Sequence, residues 1–180
     1  MEFGYLESGW KHKIRALFEG VFTDSEGAAE GRLIGELAGA LADRIDNRGV
    51  LCFGAREGDA VVGAIFFTAL EFEQSPDTGV YMLAPVAVST SSQGRGIGTR
   101  LITFGLDDLT NRGADLAITY GDPAYYSRVG FRRIPEDTIQ APLELSMPEG
   151  WLGQSLKGER IPVLPGRPRC VEAFNNPAYW

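Results

Sequence analysis

Cysteine and histidine are scarce in this sequence, which excludes several kinds of chemistry. The chain has two cysteines, Cys52 and Cys170, and one histidine, His12. The cysteines lie too far apart for a CxxC motif, and a single histidine leaves no histidine-rich metal site. His12 lies in the polar stretch 10–13, which is typical of an exposed helix face, so a histidine-activated nucleophile is not expected. We therefore predict a protein that binds no metal.

Positive charge and long hydrophobic runs are also lacking. Lys and Arg number 17 against 24 Asp and Glu, a formal net charge of −7. Nucleic-acid binding requires clustered positive charge, so we expect no nucleic-acid partner, although a local pocket for a small phosphorylated ligand is compatible. The longest apolar run, residues 60–70, is shorter than the roughly 18 residues of a membrane span. The N-terminus shows no signal-peptide pattern, and we predict a cytoplasmic protein without a membrane partner.

Two amphipathic helices are predicted near the N-terminus. The 180 residues, 44% of them hydrophobic, are enough for one domain with a buried core. Apolar residues recur at helical spacing in two sets, Ile14, Leu17, Phe18 and Val21, then Leu33, Leu37, Leu41 and Ile45. Residues 47–49 end the second helix. Residues 23–31 are small, acidic and glycine-rich, which predicts a loop that either admits a substrate or simply connects the two helices.

The pattern then changes to strands. Residues 50–55 and 60–72 flank a Gly-Asp turn, and residues 80–88 form a third strand in which Pro85 predicts a bulge or a splayed end. A helix with apolar Ile97, Leu101, Phe104 and Leu109 ends at Gly113, and residues 116–120 form a further strand. A strand, a helix and a strand in this order predict a parallel pair. The fold class is therefore mixed α/β, not doubly wound.

The last third of the chain has weaker patterns. Asp122 and Pro123 are typical of an N-cap followed by the first helical residue, so a short helix is expected over 123–129, closed by Gly130. Beyond Phe131, residues 143–147 and 168–171 have strand-like character. The aromatic C-terminus, residues 174–180, is expected to dock on its own domain or on a partner subunit.

A glycine-rich turn follows the third strand. Gly94, Gly96 and Gly98 stand between a strand and a helix, where backbone N–H groups and the helix start favour a phosphate. Threonine at position 99 breaks the G-x-G-x-x-G dinucleotide motif, and no lysine completes a Walker loop. Two alternatives remain open at this point: a turn whose glycines only pack the helix on the sheet, and an unrelated α/β phosphate-binding domain.

Two motifs together resemble one family. Gln93-Gly-Arg-Gly-Ile-Gly98 resembles the acyl-CoA signature Q/R-x-x-G-x-G/A of the GNAT N-acetyltransferases, and Tyr126-Ser-Arg-Val-Gly-Phe131 resembles their Y-x-x-x-G-F segment. Residues 121–126 are similar to the YhbS-like branch of small bacterial members. The resemblance implies a GNAT fold, a mostly antiparallel sheet with a splayed parallel pair flanked by helices. It also implies one domain over residues 1–180, in which 135–180 form a C-terminal extension.

The resemblance implies how acetyl-CoA binds as the acyl donor. The pantetheine arm pairs with the backbone of Val86, Ala87 and Val88, and the pyrophosphate lies on the glycine turn. The residues implied for the turn are Gln93, Gly94, Arg95, Gly96, Ile97, Gly98 and Thr99, the last through its hydroxyl.

The resemblance also implies a direct transfer of the acetyl group to a primary amine of a small molecule or a protein. Tyr126 matches the family's general acid, whereas adjacent Tyr125 is expected to be core packing. Glu71 or Glu73, two apart and on one strand face, are the candidates for the general base. A non-catalytic acyl-CoA-binding module of the same fold is the alternative function. A homodimer is the expected assembly.

Overall fold

The computed structural model describes residues 1–158 and 160–180, which form two compact units. The first unit comprises Met1–Phe67 and Pro85–Gly105, and the second comprises Thr68–Ala84 and Leu106–Trp180. The elements in chain order are β1 (Glu2–Tyr5), α1 (Lys11–Glu26), α2 (Ala28–Ala42), β2 (Val50–Glu57), β3 (Ala60–Leu70), β4 (Val80–Val88), α3 (Ile97–Asn111), β5 (Leu116–Tyr120), α4 (Pro123–Tyr126), β6 (Arg132–Arg133) and β7 (Trp151–Ser155).

The strands form a mixed seven-stranded sheet in the order β1-β2-β3-β4-β5-β7-β6. The parallel pair is β4–β5, whose register runs from Val80 opposite Leu116 to Leu83 opposite Thr119. Strands β1–β2, β5–β7 and β6–β7 pair antiparallel. The predicted mixed sheet and the parallel crossover through α3 are confirmed. The β4–β5 register stops two residues before Pro85, whereas β4 continues to Val88, as expected for a proline that donates no hydrogen bond.

The loop expected over residues 23–31 is wrong. Helix α1 continues to Glu26, and Gly27, with φ of 99°, is the one residue between it and α2. The glycines of α2 are not loop residues but allow the two helices to approach. A Cβ on Gly31 would collide with the Thr23 side chain, and one on Gly35 would lie 2.8 Å from the Cβ of Glu19. This close packing explains how a glycine-rich segment remains helical.

Helix α2 ends earlier than its apolar spacing predicts. Its last residue is Ala42, so Ile45 lies outside it. The Asp46 carboxylate accepts the N–H groups of Arg48, Gly49 and Val50 at 2.9–3.0 Å, which fixes a tight turn into β2. These three backbone donors lower the pKa of Asp46, although partial burial opposes them and is the largest single influence.

The strand pattern of the last third was misread from sequence. Residues 143–147 are not a strand, because the N–H of Met147 donates to the Tyr120 hydroxyl at 2.8 Å and not to a neighbouring strand. Residues 168–171 contribute a single bridge, between Arg169 and Glu71. The strands of this region are the two-residue β6 and the longer β7, which contains Gly153 because the Ile134 side chain occupies the place of a Cβ. Strands β1, β6 and β7 were all missed from sequence.

The C-terminal aromatic segment docks within the second unit, as predicted for its own domain. Trp180 is 6% exposed, and its indole N–H donates to the carbonyl of Phe174 at 2.9 Å. Its ring lies 6.2 Å from that of Tyr120 and 6.1 Å from that of Trp151. The end of the chain therefore belongs to the core of this unit.

Candidate active site

The glycine turn between β4 and α3 adopts a conformation that only glycine adopts readily. Gly94 and Gly96 have φ of 74° and 73°, and a Cβ on either would meet no atom within 4 Å. Neither glycine is therefore needed for packing; each is needed for its backbone angle and leaves open space in front of the turn. The Gly96 carbonyl accepts the N–H of Arg100 at 3.1 Å as α3 begins. The next N–H groups of the helix start have no intrahelical acceptor and carry its positive dipole end.

Several contacts within the first unit hold this turn. The Gln93 side chain donates to the carbonyl of Val88 at 3.1 Å, and Ile97 is buried, 3% exposed, at the first position of α3. Arg95 and Thr99 are exposed, and Arg95 makes a surface ion pair with Glu57 at 3.4 Å. Such an exposed pair contributes little to stability, so it leaves the guanidinium available for a phosphate.

One link to the turn was not predicted from sequence. The Thr90 hydroxyl donates to the carboxylate of Asp24 in α1 at 2.6 Å. The hydroxyl of Ser89, one residue earlier, is buried and has no partner within the described ranges 1–158 and 160–180. Just before them, Ala87 is buried, and Val86 and Val88 are half-buried on β4. Thr90 thus ties the end of β4 to α1, a contact that no local motif signals.

Helix α4, in the second unit, presents the two tyrosines. The Asp122 side chain accepts the N–H of Ala124 at 2.9 Å, and Gly130, with φ of 95°, closes the following 3₁₀ turn. The predicted N-cap and C-cap are therefore confirmed. Both tyrosines are half-buried. Tyr125, for which core packing was expected, is thus only partly buried.

Tyr126 is held from several directions. Its ring lies 5.0 Å from that of Tyr125 and 5.9 Å from that of Phe131, and a Cβ on Gly121 would lie 2.7 Å from its Cε2. Its hydroxyl is hydrogen-bonded to the side chain of Thr119. Burial raises the pKa of Tyr126 to about 12, although that hydrogen bond acts to lower it. The phenol therefore keeps its proton throughout the neutral range, as a general acid must.

The two glutamates proposed as bases differ in their surroundings. Strand β3 ends at Leu70, and Glu71 exchanges both backbone hydrogen bonds with Arg169, at 3.0 and 2.9 Å. The carboxylate of Glu71 also pairs with the Arg169 guanidinium at 3.0 Å. The carboxylate of Glu73 has no partner in the part of the chain that the structure describes. Both residues line a cleft of about 290 Å³ in the second unit, together with Tyr81.

The two cysteines and the single histidine are not arranged as a catalytic cluster in the part of the chain that the structure describes. His12 is exposed on α1, as its polar surroundings predict. Burial raises the pKa of both the Cys52 and the Cys170 thiols, which favours the unreactive thiol form. Among residues 1–158 and 160–180, no three His, Cys, Asp or Glu side chains are grouped to hold a metal ion. Over the same residues, no helix is both long and apolar enough to cross a membrane.

Comparison with known proteins decides the family. The model of the acetyltransferase (GNAT) family matches residues 12–131. The chain belongs to the GNAT family. The GNAT relative YjhQ of Escherichia coli K12, named an uncharacterized N-acetyltransferase, is 32% identical over 142 residues, which are 76% of this chain and 77% of YjhQ. The predicted N-acetyltransferase class is thereby confirmed.

Solved GNAT structures agree over nearly the whole chain. YhbS from Escherichia coli, crystallised with CoA, has a TM-score of 0.79 at 25% identity and covers 97% of this chain and 92% of its own. A GNAT acetyltransferase from Brucella melitensis, crystallised with acetyl-CoA, has a TM-score of 0.73 at 26% identity and covers 97% of both chains. The GNAT fold and the YhbS-like resemblance are confirmed.

Proposed function

We propose that this GNAT protein transfers an acetyl group from acetyl-CoA directly to a primary amine of a small molecule or a protein. The observation that carries the proposal is the open, positive-φ glycine turn at Gly94 and Gly96, directly before α3. A turn that held its glycines for packing would have atoms where their Cβ groups belong. The similar proteins crystallised with CoA and acetyl-CoA support the same ligand here.

The residues of the turn fit a diphosphate. The backbone N–H groups of residues 93–99 and the positive end of α3 favour an anion, and Arg95 and the Thr99 hydroxyl add side-chain donors. We assign the pyrophosphate of acetyl-CoA to Gln93, Gly94, Arg95, Gly96, Ile97, Gly98 and Thr99, and the pantetheine arm to the backbone of Val86, Ala87 and Val88. The N–H groups of this strand segment also stabilise the oxyanion that forms during transfer.

Two side chains are proposed to move protons. Acetyl-CoA supplies a thioester carbonyl that an uncharged amine attacks. Tyr126 donates its proton to the departing sulfur, since a thiolate gains from a proton donor. An alkylamine has a pKa near about 10.4 and must lose a proton. Glu71 and Glu73 are both candidates for this role, and we test Glu73 first because the Glu71 carboxylate has the Arg169 guanidinium 3.0 Å away.

Two further predictions remain proposals. Residues 1–180 act as one N-acyltransferase domain, in which 135–180 are an extension. The chain forms a homodimer, which light scattering of the purified protein tests. Substrate entry through a loop at residues 23–31 is withdrawn, since that segment is helical except at Gly27.

The test is calorimetric titration with acetyl-CoA, CoA and ATP, followed by a thiol-release assay with a panel of primary amines. Binding of both CoA species at micromolar concentration, weak binding of ATP and thiol release with an amine are the expected results. Binding without thiol release from any amine favours the non-catalytic acyl-CoA module. Equal or tighter binding of ATP refutes the assignment of the turn.

A further inference from the structure

A buried threonine lies at the point where the parallel ladder ends. Thr119 is the fourth residue of β5 and is 0% exposed. It is paired with Leu83, the last partner of the β4–β5 register, and its hydroxyl donates to the Leu83 carbonyl at 2.8 Å. A hydroxyl has a single hydrogen, and in this structure Thr119 gives it to the backbone.

The hydrogen bond between Thr119 and Tyr126 therefore has a defined direction. Because the Thr119 hydrogen is already donated, its oxygen accepts, and the Tyr126 hydroxyl is the donor. The chain of hydrogen bonds runs from the phenol to the threonine hydroxyl and on to the Leu83 carbonyl. Gly121 and Phe131 pack against the ring of the phenol.

We propose that Thr119 is a positioning residue for Tyr126, serving the phenol as acceptor before the proton transfer and as donor after it. This inference rests on the proposed function. Before transfer, Thr119 fixes the direction of the phenol O–H. When Tyr126 gives up its proton, Thr119 turns its own O–H from the Leu83 carbonyl to the phenolate oxygen.

The atoms and charges of this step balance. The base first takes the ammonium proton and releases it to solvent. The uncharged amine nitrogen then forms its bond to the acetyl carbon and passes a second proton to the base. The C–S bond breaks with its electron pair on sulfur, and sulfur takes the Tyr126 proton. Tyr126 is left as a phenolate, which accepts the Thr119 hydrogen bond until a proton returns from solvent. Thr119 then donates to the Leu83 carbonyl again.

The partial burial of Tyr126 explains why such a donor is needed. Burial disfavours the phenolate and raises the pKa of Tyr126 to about 12. A thiol leaving group has a pKa near about 8.5, so transfer from this phenol is unfavourable unless the phenolate is stabilised as it forms. A hydrogen bond to the charged oxygen supplies that stabilisation, and Thr119 is the residue in place to donate it.

The experiment compares Thr119→Val, which keeps the shape but removes the hydroxyl, with Thr119→Ser, which keeps the hydroxyl. If Thr119→Val does not fold, Thr119→Ala takes its place. Alanine also lacks the hydroxyl, and it puts no methyl group against the Leu83 carbonyl. We expect Thr119→Val or Thr119→Ala to lower kcat by about 10-fold or more, with the KM for acetyl-CoA within about 3-fold. Thr119→Ser restores kcat to within about 3-fold.

The same substitution is then made in a Tyr126→Phe background. There, loss of the Thr119 hydroxyl should cause no further decrease in kcat, because the group that it positions is gone. An unchanged kcat in Thr119→Val, or an equal decrease in both backgrounds, overturns the inference. A Tyr126→Phe variant with full activity instead overturns the assignment of the acid, so the two failures are distinguishable.

Discussion

Substituting alanine for Gly96 tests the proposed phosphate site most directly. With φ of 73° and open space around its Cβ position, Gly96 is unfavourable for alanine only through its backbone conformation. A left-handed conformation costs an L-residue about 1–2 kcal/mol, so the melting temperature should fall by roughly 2–8 °C. The new methyl group also projects into the space in front of the turn.

Gly113 provides a matched control at the other end of the same helix. It has φ of 82° and also no atom within 4 Å of its Cβ position. Gly113→Ala should therefore lower the melting temperature by a similar amount but leave the affinity for acetyl-CoA unchanged. Gly96→Ala should in addition raise the Kd for acetyl-CoA by about 10-fold or more, which corresponds to about 1.4 kcal/mol.

Calorimetric titration of both variants with acetyl-CoA, beside thermal unfolding, measures the two effects separately. The reasoning is refuted if Gly96→Ala binds acetyl-CoA as well as the unmodified protein. It is also refuted if Gly96→Ala and Gly113→Ala lose affinity for acetyl-CoA equally. The loss would then be caused by backbone strain at the helix ends and not by a methyl group at the phosphate site.

Three other substitutions and one deletion give further tests. Tyr126→Phe should lower kcat about 10- to 10⁴-fold with little change in acetyl-CoA affinity, and an unaltered kcat removes this residue as the acid. Because burial raises its pKa to about 12, the folded protein holds more protons than the unfolded chain above a pH of about 10. Stability should fall as the pH rises from there, and less steeply in Tyr126→Phe, as urea unfolding measures. Glu73→Gln should lower kcat and Glu71→Gln should leave it nearly unchanged; the reverse order assigns the base to Glu71. Deleting Trp180 should lower the melting temperature because it removes a ring that is 6% exposed and an indole hydrogen bond, and an unaltered melting temperature contradicts docking.

Local features of the sequence predicted much of the fold. The turn at Gly94 and Gly96, the helix that follows it and the N-cap at Asp122 depend on backbone angles and on hydrogen bonds between near neighbours. The periodicity of apolar residues placed β4, α3 and β5, and the crossover rule made the two strands parallel. Each of these follows from a few adjacent residues, and each is present in the structure.

The errors arose where contacts between distant residues decide the local conformation. Residues 23–31 have a loop-like composition, but the Gly31 backbone packs against Thr23 of the preceding helix and the segment is helical. Strand β7 has a glycine at its centre, which lowers strand propensity, yet β5 provides a complete antiparallel partner. The segment 143–147 alternates like a strand, but the Tyr120 hydroxyl binds its backbone.

The candidate site also combines features that the local sequence predicts with features that only folding creates. The sequence by itself determined the glycine turn and helix α4, because the backbone angles of glycine and the capping of a helix are local properties of the chain. Only the tertiary structure decided the environment of each reactive group. It paired Glu71 with Arg169 and placed Thr119 against Tyr126 and the Leu83 carbonyl, whereas Glu73 has no partner among residues 1–158 and 160–180. These contacts join residues that are far apart in the sequence, and the hydrogen bonds and burial that set a side chain's proton affinity arise only after the chain has folded.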